Sequence, residues 1–241
     1  ASAWNMSQLI LNYGAPPGPT TTMYDLILDA IAVTIASTSS STSTSTPPAS
    51  TVHLLQTSFQ MYLRALERHE LDIKAGTETT NLSQSCPSTC TFNAVIRGAA
   101  STPPSTAMDA DAQEQVRDLS VENAFLSFNA MAHHIIVERN SATYRYLLQT
   151  IQNHFPIGEM RGNISRAMWE KCLQDKVMDE HVIGVMMELA NAGEHGEKFD
   201  RWWKEMEGGI SLEKGVNGYG LPMIWGKNKK IRRFDKRHGG Y

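Results

Sequence analysis

The sequence predicts an all-α fold, an α-solenoid of about four to five helical hairpins with inserted loops and a basic C-terminal tail. Apolar residues recur at steps of three and four along most of the chain, which is the pattern of an amphipathic helix. The strict alternation that is typical of a strand is not sustained in any segment of the 241 residues. Two kinds of helical segment also recur in turn, and such recurrence is the signature of a repeat architecture.

The helical period is strongest in segments that each place several large apolar side chains on one face. Phe59, Tyr62 and Leu66 share such a face in the first of these segments. An apolar face of this kind is expected to pack against a neighbouring helix. The segments are residues 57–68, 116–132, 143–154, 165–174, 181–190 and 197–207.

The first helix of each predicted hairpin opens with Thr, an aromatic residue and two adjacent aliphatic residues. We expect the Thr to serve as the N-cap and the apolar residues to pack on the partner helix. The unit that begins near His181 lacks this opening. The opening is found at 22–30 (TMYDLILDA), 90–98 (CTFNAVIRG) and 142–150 (ATYRYLLQT).

The second helix of each hairpin carries an aromatic residue four positions after its first residue and Met, Ala or Cys seven positions after it. Steps of four and seven keep both residues on one face, which we expect to meet the next helix. The pattern is found at 58–65, 124–131, 165–172 and 199–206.

Three polar stretches are predicted to be flexible insertions between the repeated units, near 37–51, 74–90 and 99–112. The first reads STSSSTSTSTPPAST, and side chains this small cannot offset the entropy of ordering by burial. The predicted domains are a repeat array over 1–207 and a basic, Gly-rich extension over 208–241. Residues 1–14 are a candidate second helix of an incomplete leading repeat.

The charge of the chain is divided unevenly. The formal net charge is −3, yet residues 227–237 alone carry seven Lys and Arg against one Asp, which is +6. The rest of the chain therefore carries −9, so that an acidic array precedes a basic tail. An acidic surface repels nucleic acid unless it is locally basic, and Arg139, Arg145 and Arg161 are the candidates for such a local face.

Several classes of protein are not expected. The longest apolar run, 26–36, is interrupted by Asp29 and is shorter than the ~18 residues of a membrane span. No phosphate-binding loop, nucleophile elbow or zinc-ligand spacing accompanies the eight histidines, so we expect no metal, no cofactor and no enzyme activity. Three cysteines are too few for a secreted disulfide framework. Cys86 and Cys90 are either two loop thiols or, by their spacing, a disulfide.

The alternating helical segments resemble the pentatricopeptide repeat family over roughly residues 20–207. The family's first helix opens with Thr, an aromatic residue, Asn and then Leu-Ile, and its second helix ends near a Met; CTFNAVI at 90–96 and AFLSFNAM at 124–131 match this pattern. The resemblance implies a helical-hairpin array that binds single-stranded RNA or ribosomal RNA, at about one base per repeat. It also implies an organelle, either the mitochondrion or the plastid.

The resemblance further assigns base-reading to the residue that follows the aromatic residue of the first helix. Asn93 holds this position, and the equivalent residues are Arg145 in the next unit and Tyr24 by a looser alignment. The alternative is that these three are ordinary exposed helix positions.

The tail combines basic side chains, which can contact phosphates, with aromatic rings, which can stack on bases. Two hypotheses follow from it and from the array. The first is an organellar factor that binds RNA for transcript processing or translation. The second is a non-enzymatic scaffold subunit of a large organellar assembly such as a ribosome, with protein subunits as partners and a tail that contacts RNA or an acidic partner. The tail residues are Trp225, Lys227, Lys229, Lys230, Arg232, Arg233, Phe234, Lys236 and Arg237.

Overall fold

The computed structural model of the chain describes residues 20–40, 48–74, 86–102, 110–134 and 137–191. Across these ranges the regular structure is helical and includes no strand, so the all-α class is confirmed. The helices are α1 (Thr21–Ser40), α2 (Pro48–Lys74), α3 (Thr89–Ala100), α4 (Ala110–Met131), α5 (Ser141–His154), α6 (Glu159–Gln174) and α7 (Glu180–Asn191).

None of the described helices is both long enough and apolar enough to cross a bilayer.

The seven helices contact one another in a regular order. Each odd-numbered helix packs against the helix that follows it, which gives the pairs α1–α2, α3–α4 and α5–α6. The odd-numbered helices also pack in succession, α1 on α3, α3 on α5 and α5 on α7, while α2 packs on α4. Each even-numbered helix further contacts the next odd-numbered one. We call α1, α3, α5 and α7 the first row.

The recurring aromatic residues form the centre of the core. Tyr62, Phe128 and Trp169, the aromatic residues of the second-helix pattern, are almost completely buried. Tyr62 lies edge-on to Phe92, and Phe128 lies edge-on to Tyr144, with ring centroids 5.4 Å apart in both pairs. Each pair joins an even-numbered helix to the first-row helix of the next hairpin, as the sequence predicts. Pairs of this geometry contribute about 0.5–1.5 kcal/mol beyond the area that they bury.

The Thr of the first-helix opening is not the N-cap, contrary to the prediction. Ser88 and Asn140 are the N-caps of α3 and α5, and their side chains accept the backbone N–H groups of Thr91 and Thr143 at 3.3 and 3.1 Å. The Thr hydroxyls in turn accept the backbone N–H groups of the caps at 2.9 and 3.1 Å. This reciprocal pair is a capping box, and its third helical position is buried in both helices.

The helices also extend into the three stretches predicted as insertions. Side-chain hydroxyls need not end a helix, since Thr34 and Ser37 donate to carbonyls one turn back at 2.7 and 2.9 Å. Pro48 is accepted as the first helical residue because its missing N–H would have no helical partner there. The centres of the stretches, at 41–47, 75–85 and 103–109, lie outside the described residues. The residues of the predicted loops that are helical in the structure are 37–40, 48–51, 74, 89–90, 99–100 and 110–112.

A buried polar network closes the other end of the α3–α5 junction. His154 Nε2 lies 2.9 Å from Thr102 Oγ1 and 3.3 Å from the carbonyl oxygen of Ala99 at the end of α3. The hydroxyl of Ser120, on α4, lies 2.8 Å from the same Thr102 oxygen. Burial lowers the pKa of His154 to about 4, so the imidazole is neutral in the folded protein near pH 7.

Candidate nucleic-acid interface

The four first-row helices begin in the same phase. Ser88 and Asn140 cap α3 and α5, Thr20 Oγ1 accepts the backbone N–H of the third residue of α1 at 3.4 Å, and Asp179 Oδ1 accepts two N–H groups of α7 at 2.9 and 3.0 Å. Positions along each helix can therefore be numbered from its cap. The fifth positions are held by Asp25, Asn93, Arg145 and Gly184.

This common phase corrects the alignment of the first unit. Tyr24 occupies the fourth position, together with Phe92 and Tyr144, and all three rings are buried. Burial also raises the pKa of Tyr24. Tyr24 is therefore a core residue of the aromatic position, and the residue equivalent to Asn93 is its neighbour Asp25. The prediction missed Asp25 because it placed the first unit one residue too early.

Asp25 is bonded to the start of the next hairpin. Its carboxylate accepts a hydrogen bond from Ser88 Oγ at 2.8 Å and another from Thr91 Oγ1. These are the N-cap and the third position of α3. An anionic group is favoured at this place because the N-terminus of a helix carries a partial positive charge.

Asn93 repeats this arrangement one hairpin later. Its Nδ2 donates to Asn140 Oδ1 at 3.1 Å, and its Oδ1 accepts from Thr143 Oγ1 at 2.7 Å. An Asn amide has two N–H donors and two lone pairs, so one donor and one lone pair are left for any base. We call these bonds, from a fifth position to the cap and third position of the next first-row helix, the fifth-position clasp.

Arg145 makes no such clasp in the described structure, because the third position of α7 is Val182. Its guanidinium lies 4.8 Å from the ring centroid of Tyr146 and donates through Nη2 to the phenol oxygen at 3.0 Å. Its Nε is buried without a hydrogen-bond partner there. An open recess of about 410 Å³ lies beside it, lined also by Gln149, Glu180, His181, Gly184, Val185 and Glu188.

The other two arginines proposed for a basic face have structural roles. Arg139 lies 4.2 Å from the ring centroid of Phe128, donates to the carbonyl oxygen of that residue at 3.2 Å and pairs with Asp175 at 3.5 Å. Arg161 is buried, which lowers its pKa, and it donates to the carbonyl oxygen of Phe155 at 3.5 Å. Neither guanidinium is available for phosphates.

The described part of the array is acidic as a whole. It holds eleven Lys and Arg residues against sixteen Asp and Glu residues, which is a net charge of −5. In the first row, Arg97 is paired with Asp29 at 2.6 Å. The basic tail at 227–237, with its rings Trp225 and Phe234, lies outside the described residues.

The described ranges give little support for a metal site, a disulfide or a reactive cysteine. No cluster of three His, Cys, Asp or Glu side chains there has the arrangement of a metal site. Cys86, Cys90 and Cys172 carry free thiols. Cys172 is fully buried, and this burial raises the pKa of its thiol, so that the reactive thiolate is disfavoured.

The clasp has a sequence signal that the prediction did not use. Ser or Asn stands three residues before the Thr of the opening at 88–91 and at 140–143, which is the spacing of a capping box. The fifth position then follows from the cap by counting. Its hydrogen bonds to the next hairpin join residues 47 to 66 apart, which local patterns do not show.

Comparisons with models of protein families, with curated proteins and with solved structures found no match to this chain.

Proposed function

We propose that this chain is a non-enzymatic scaffold of the pentatricopeptide type, an α-solenoid subunit of a large organellar assembly that contains RNA. In this proposal the array binds protein subunits, and the basic tail contacts single-stranded or ribosomal RNA. The observation that carries the proposal is the fifth-position clasp, because Asp25 and Asn93, at the position to which the resemblance assigns base-reading, instead bond one hairpin to the next.

The order of helix contacts supports the solenoid. Three successive pairs, α1–α2, α3–α4 and α5–α6, are joined through a continuous first row, and α7 begins a fourth unit. In a stack of repeats each unit contacts its neighbours, as these pairs do. The matching caps and buried aromatic positions of α3 and α5 support units of one type.

The charge distribution supports RNA contact by the tail. Affinity for RNA depends on neutralising phosphates, and the described array carries −5 while residues 227–237 carry +6. Four of the acidic residues counted in this charge lie on the first row, at Asp25, Asp29, Glu180 and Glu188. A polyanion is therefore expected to meet the tail and to be repelled by the row.

A second candidate function is base-reading at one junction, between α5 and α7. Arg145 is without a clasp there, and the recess beside it is open. Arginine can bind a base edge through its fork of N–H groups, and the neighbouring Tyr146 offers a stacking surface.

An RNA titration separates the two candidates. A labelled single-stranded RNA of about twelve nucleotides is titrated with the full chain at 50 and 200 mM salt, a range over which contacts with phosphates weaken measurably. A tail variant carries Lys229→Gln, Lys230→Gln, Arg232→Gln and Arg233→Gln. A matched array variant removes the same charge at exposed arginines and a lysine that form surface ion pairs, with Arg64→Gln, Lys74→Gln, Arg117→Gln and Arg166→Gln.

We expect the tail variant to bind RNA more weakly. The slope of log K against log salt should also become less negative by about 0.7 for each lost phosphate contact. The array variant and Arg145→Ala are expected to bind as the unchanged chain does. The opposite result, about tenfold weaker binding in Arg145→Ala with normal binding in the tail variant, would establish base-reading at the recess and refute the proposal. Absence of RNA binding at 50 mM salt would refute both candidates.

A further inference from the structure

A stripe of apolar side chains lies exposed along α1. Met23, Leu26 and Val33 are 46%, 66% and 54% exposed, and Ala30 lies between them on the same side. They occupy positions 3, 6, 10 and 13 of the helix, a spacing that keeps them on one face. We call these four residues the α1 stripe.

Most of the equivalent positions are covered in the later first-row helices. At position 6, where Leu26 is 66% exposed, Ala94 and Val185 are 5% and 6% exposed, while Tyr146 of α5 is partly buried. Position 3 is fully buried in α3, α5 and α7. Position 10 is also buried in all three of these helices. The stripe of α1 therefore corresponds to a face that is otherwise in contact with a preceding helix.

Each later first-row helix is contacted both by the first-row helix before it and by the even-numbered helix before it. A Cβ atom on Gly98, at position 10 of α3, would meet the Ile35 side chain of α1 at 3.4 Å and Ala32 at 3.8 Å. Position 3 of α3 is bonded by Asp25, and position 3 of α5 by Asn93. On α1 the same place is apolar, since Met23 stands where α3 and α5 have Thr.

We propose that residues 1–13 dock on the α1 stripe as a helix that turns Ala3, Met6, Ile10 and Tyr13 towards it. Residues 1–19 lie outside the described residues, so the proposal rests on the stripe, on the length of the chain that precedes it and on the sequence of that chain. It is independent of RNA binding.

The sequence of this segment fits the stripe. Ala3, Met6, Ile10 and Tyr13 have the same spacing as the stripe itself, while Asn5, Gln8 and Asn12 fall on the opposite side, together with the apolar Trp4 and Leu11. The segment contains no charged side chain, so docking would bury none. Thirteen helical residues span about 20 Å, enough to cover a stripe of about 15 Å from position 3 to position 13.

The connection also has a suitable length and composition. Residues 14–19 read GAPPGP, and this composition ends a helix and turns the chain. Counted to the start of α1, the connection 14–20 has seven residues, between the five that join α6 to α7 and the nine that join α4 to α5. An even-numbered helix thus reaches the next first-row helix through connections of this size elsewhere in the array.

Hydrogen exchange of the full chain, read by mass spectrometry, tests the docking. An isolated helix of this length is marginal in water, so protection of amides 2–13 requires a contact that holds them. The disruptive variant is Leu26→Asp. The matched control is Leu63→Asp, which places the same charge at a leucine of α2 that is 47% exposed. Light scattering gives the oligomeric state of each sample.

We expect a monomer whose amides 2–13 are protected at least about tenfold, a protection that Leu26→Asp abolishes and Leu63→Asp leaves intact. Unprotected amides 2–13, or protection that survives in Leu26→Asp, would overturn the proposal. A dimer that Leu26→Asp dissociates would also overturn it, because the stripe would then bind a second copy. If α1 itself loses protection in Leu26→Asp, the pair Leu26→Ala and Leu63→Ala repeats the comparison, and only Leu26→Ala is expected to expose residues 2–13.

Discussion

The clasp between the first two hairpins predicts a large effect for a single carboxylate. Asp25→Ala removes the acceptor of two hydroxyl hydrogen bonds, from Ser88 and from the buried Thr91. Hydrogen bonds to a charged group contribute about 1.5–3 kcal/mol each, but the Thr91 hydroxyl retains a weak contact with Ser88 Oγ at 3.4 Å. The favourable placement of the charge at the start of α3 adds about 0.3–1 kcal/mol. We therefore expect the free energy of unfolding to fall by about 3 kcal/mol.

The assay is urea unfolding at pH 7, with Asp29→Ala as the matched control. Asp29 is another first-row carboxylate of α1, but it is more than half exposed and forms an ion pair with Arg97. Exposed pairs contribute about 0–1 kcal/mol, so the control should change stability by less than 1 kcal/mol. Asp25→Asn keeps one acceptor and should fall between the two. Equal losses for Asp25→Ala and Asp29→Ala would refute the clasp as a source of stability.

Three further outcomes follow from buried groups. His154 has a folded pKa of about 4 against about 6.5 when unfolded, so its contribution to stability is complete above pH 6.5 and is lost as the pH falls towards 4. Urea unfolding at pH 7 and pH 5 should show a free energy of unfolding about 2 kcal/mol lower at pH 5, and His154→Gln should reduce this difference. The same difference in His154→Gln would show that another group governs the pH dependence. Arg139→Lys should cost about 1–2 kcal/mol in thermal unfolding, because an ammonium lacks the fork that bonds and stacks on Phe128, and unchanged stability would contradict this role. A thiol reagent should label Cys90 in the native chain and Cys172 only after unfolding, and equal labelling rates would show that Cys172 is accessible.

The parts of the fold that depend on helical period were predictable from the sequence. Tyr62, Phe128 and Trp169 were placed on buried faces because steps of three, four and seven residues report directly which side of a helix is apolar. The contact of a second helix with the next first helix was predictable for the same reason, and the aromatic positions Tyr62 and Phe128 make it.

The predictions that were wrong depend on where a helix begins and ends, which is set by the hydrogen bonds at its termini. The Ser/Thr tract at 37–51 has a composition typical of loops, yet its first four residues belong to α1, which ends at Ser40. Composition alone does not show this. The first unit was misaligned because Thr occurs at positions 20, 21 and 22, and only the hydrogen bond to Thr20 identifies the cap. That single step moved the fifth position from Tyr24 to Asp25.

The clasp weakens along the array. Its central residue changes from a carboxylate at Asp25 to an amide at Asn93, to an unclasped guanidinium at Arg145. The α5–α7 junction is held instead by apolar packing and by a long hydrogen bond, 3.4 Å, from Gln152 to Glu188. In the solenoid that we propose, stability is approximately a sum of units and nearest-neighbour interfaces, so this junction should open before the two that precede it. The junction at which the fifth-position side chain, Arg145, makes no bond to the next first-row helix is therefore also the place where the described helices are expected to separate most easily. A ligand that binds there must supply the ordering that the missing clasp does not.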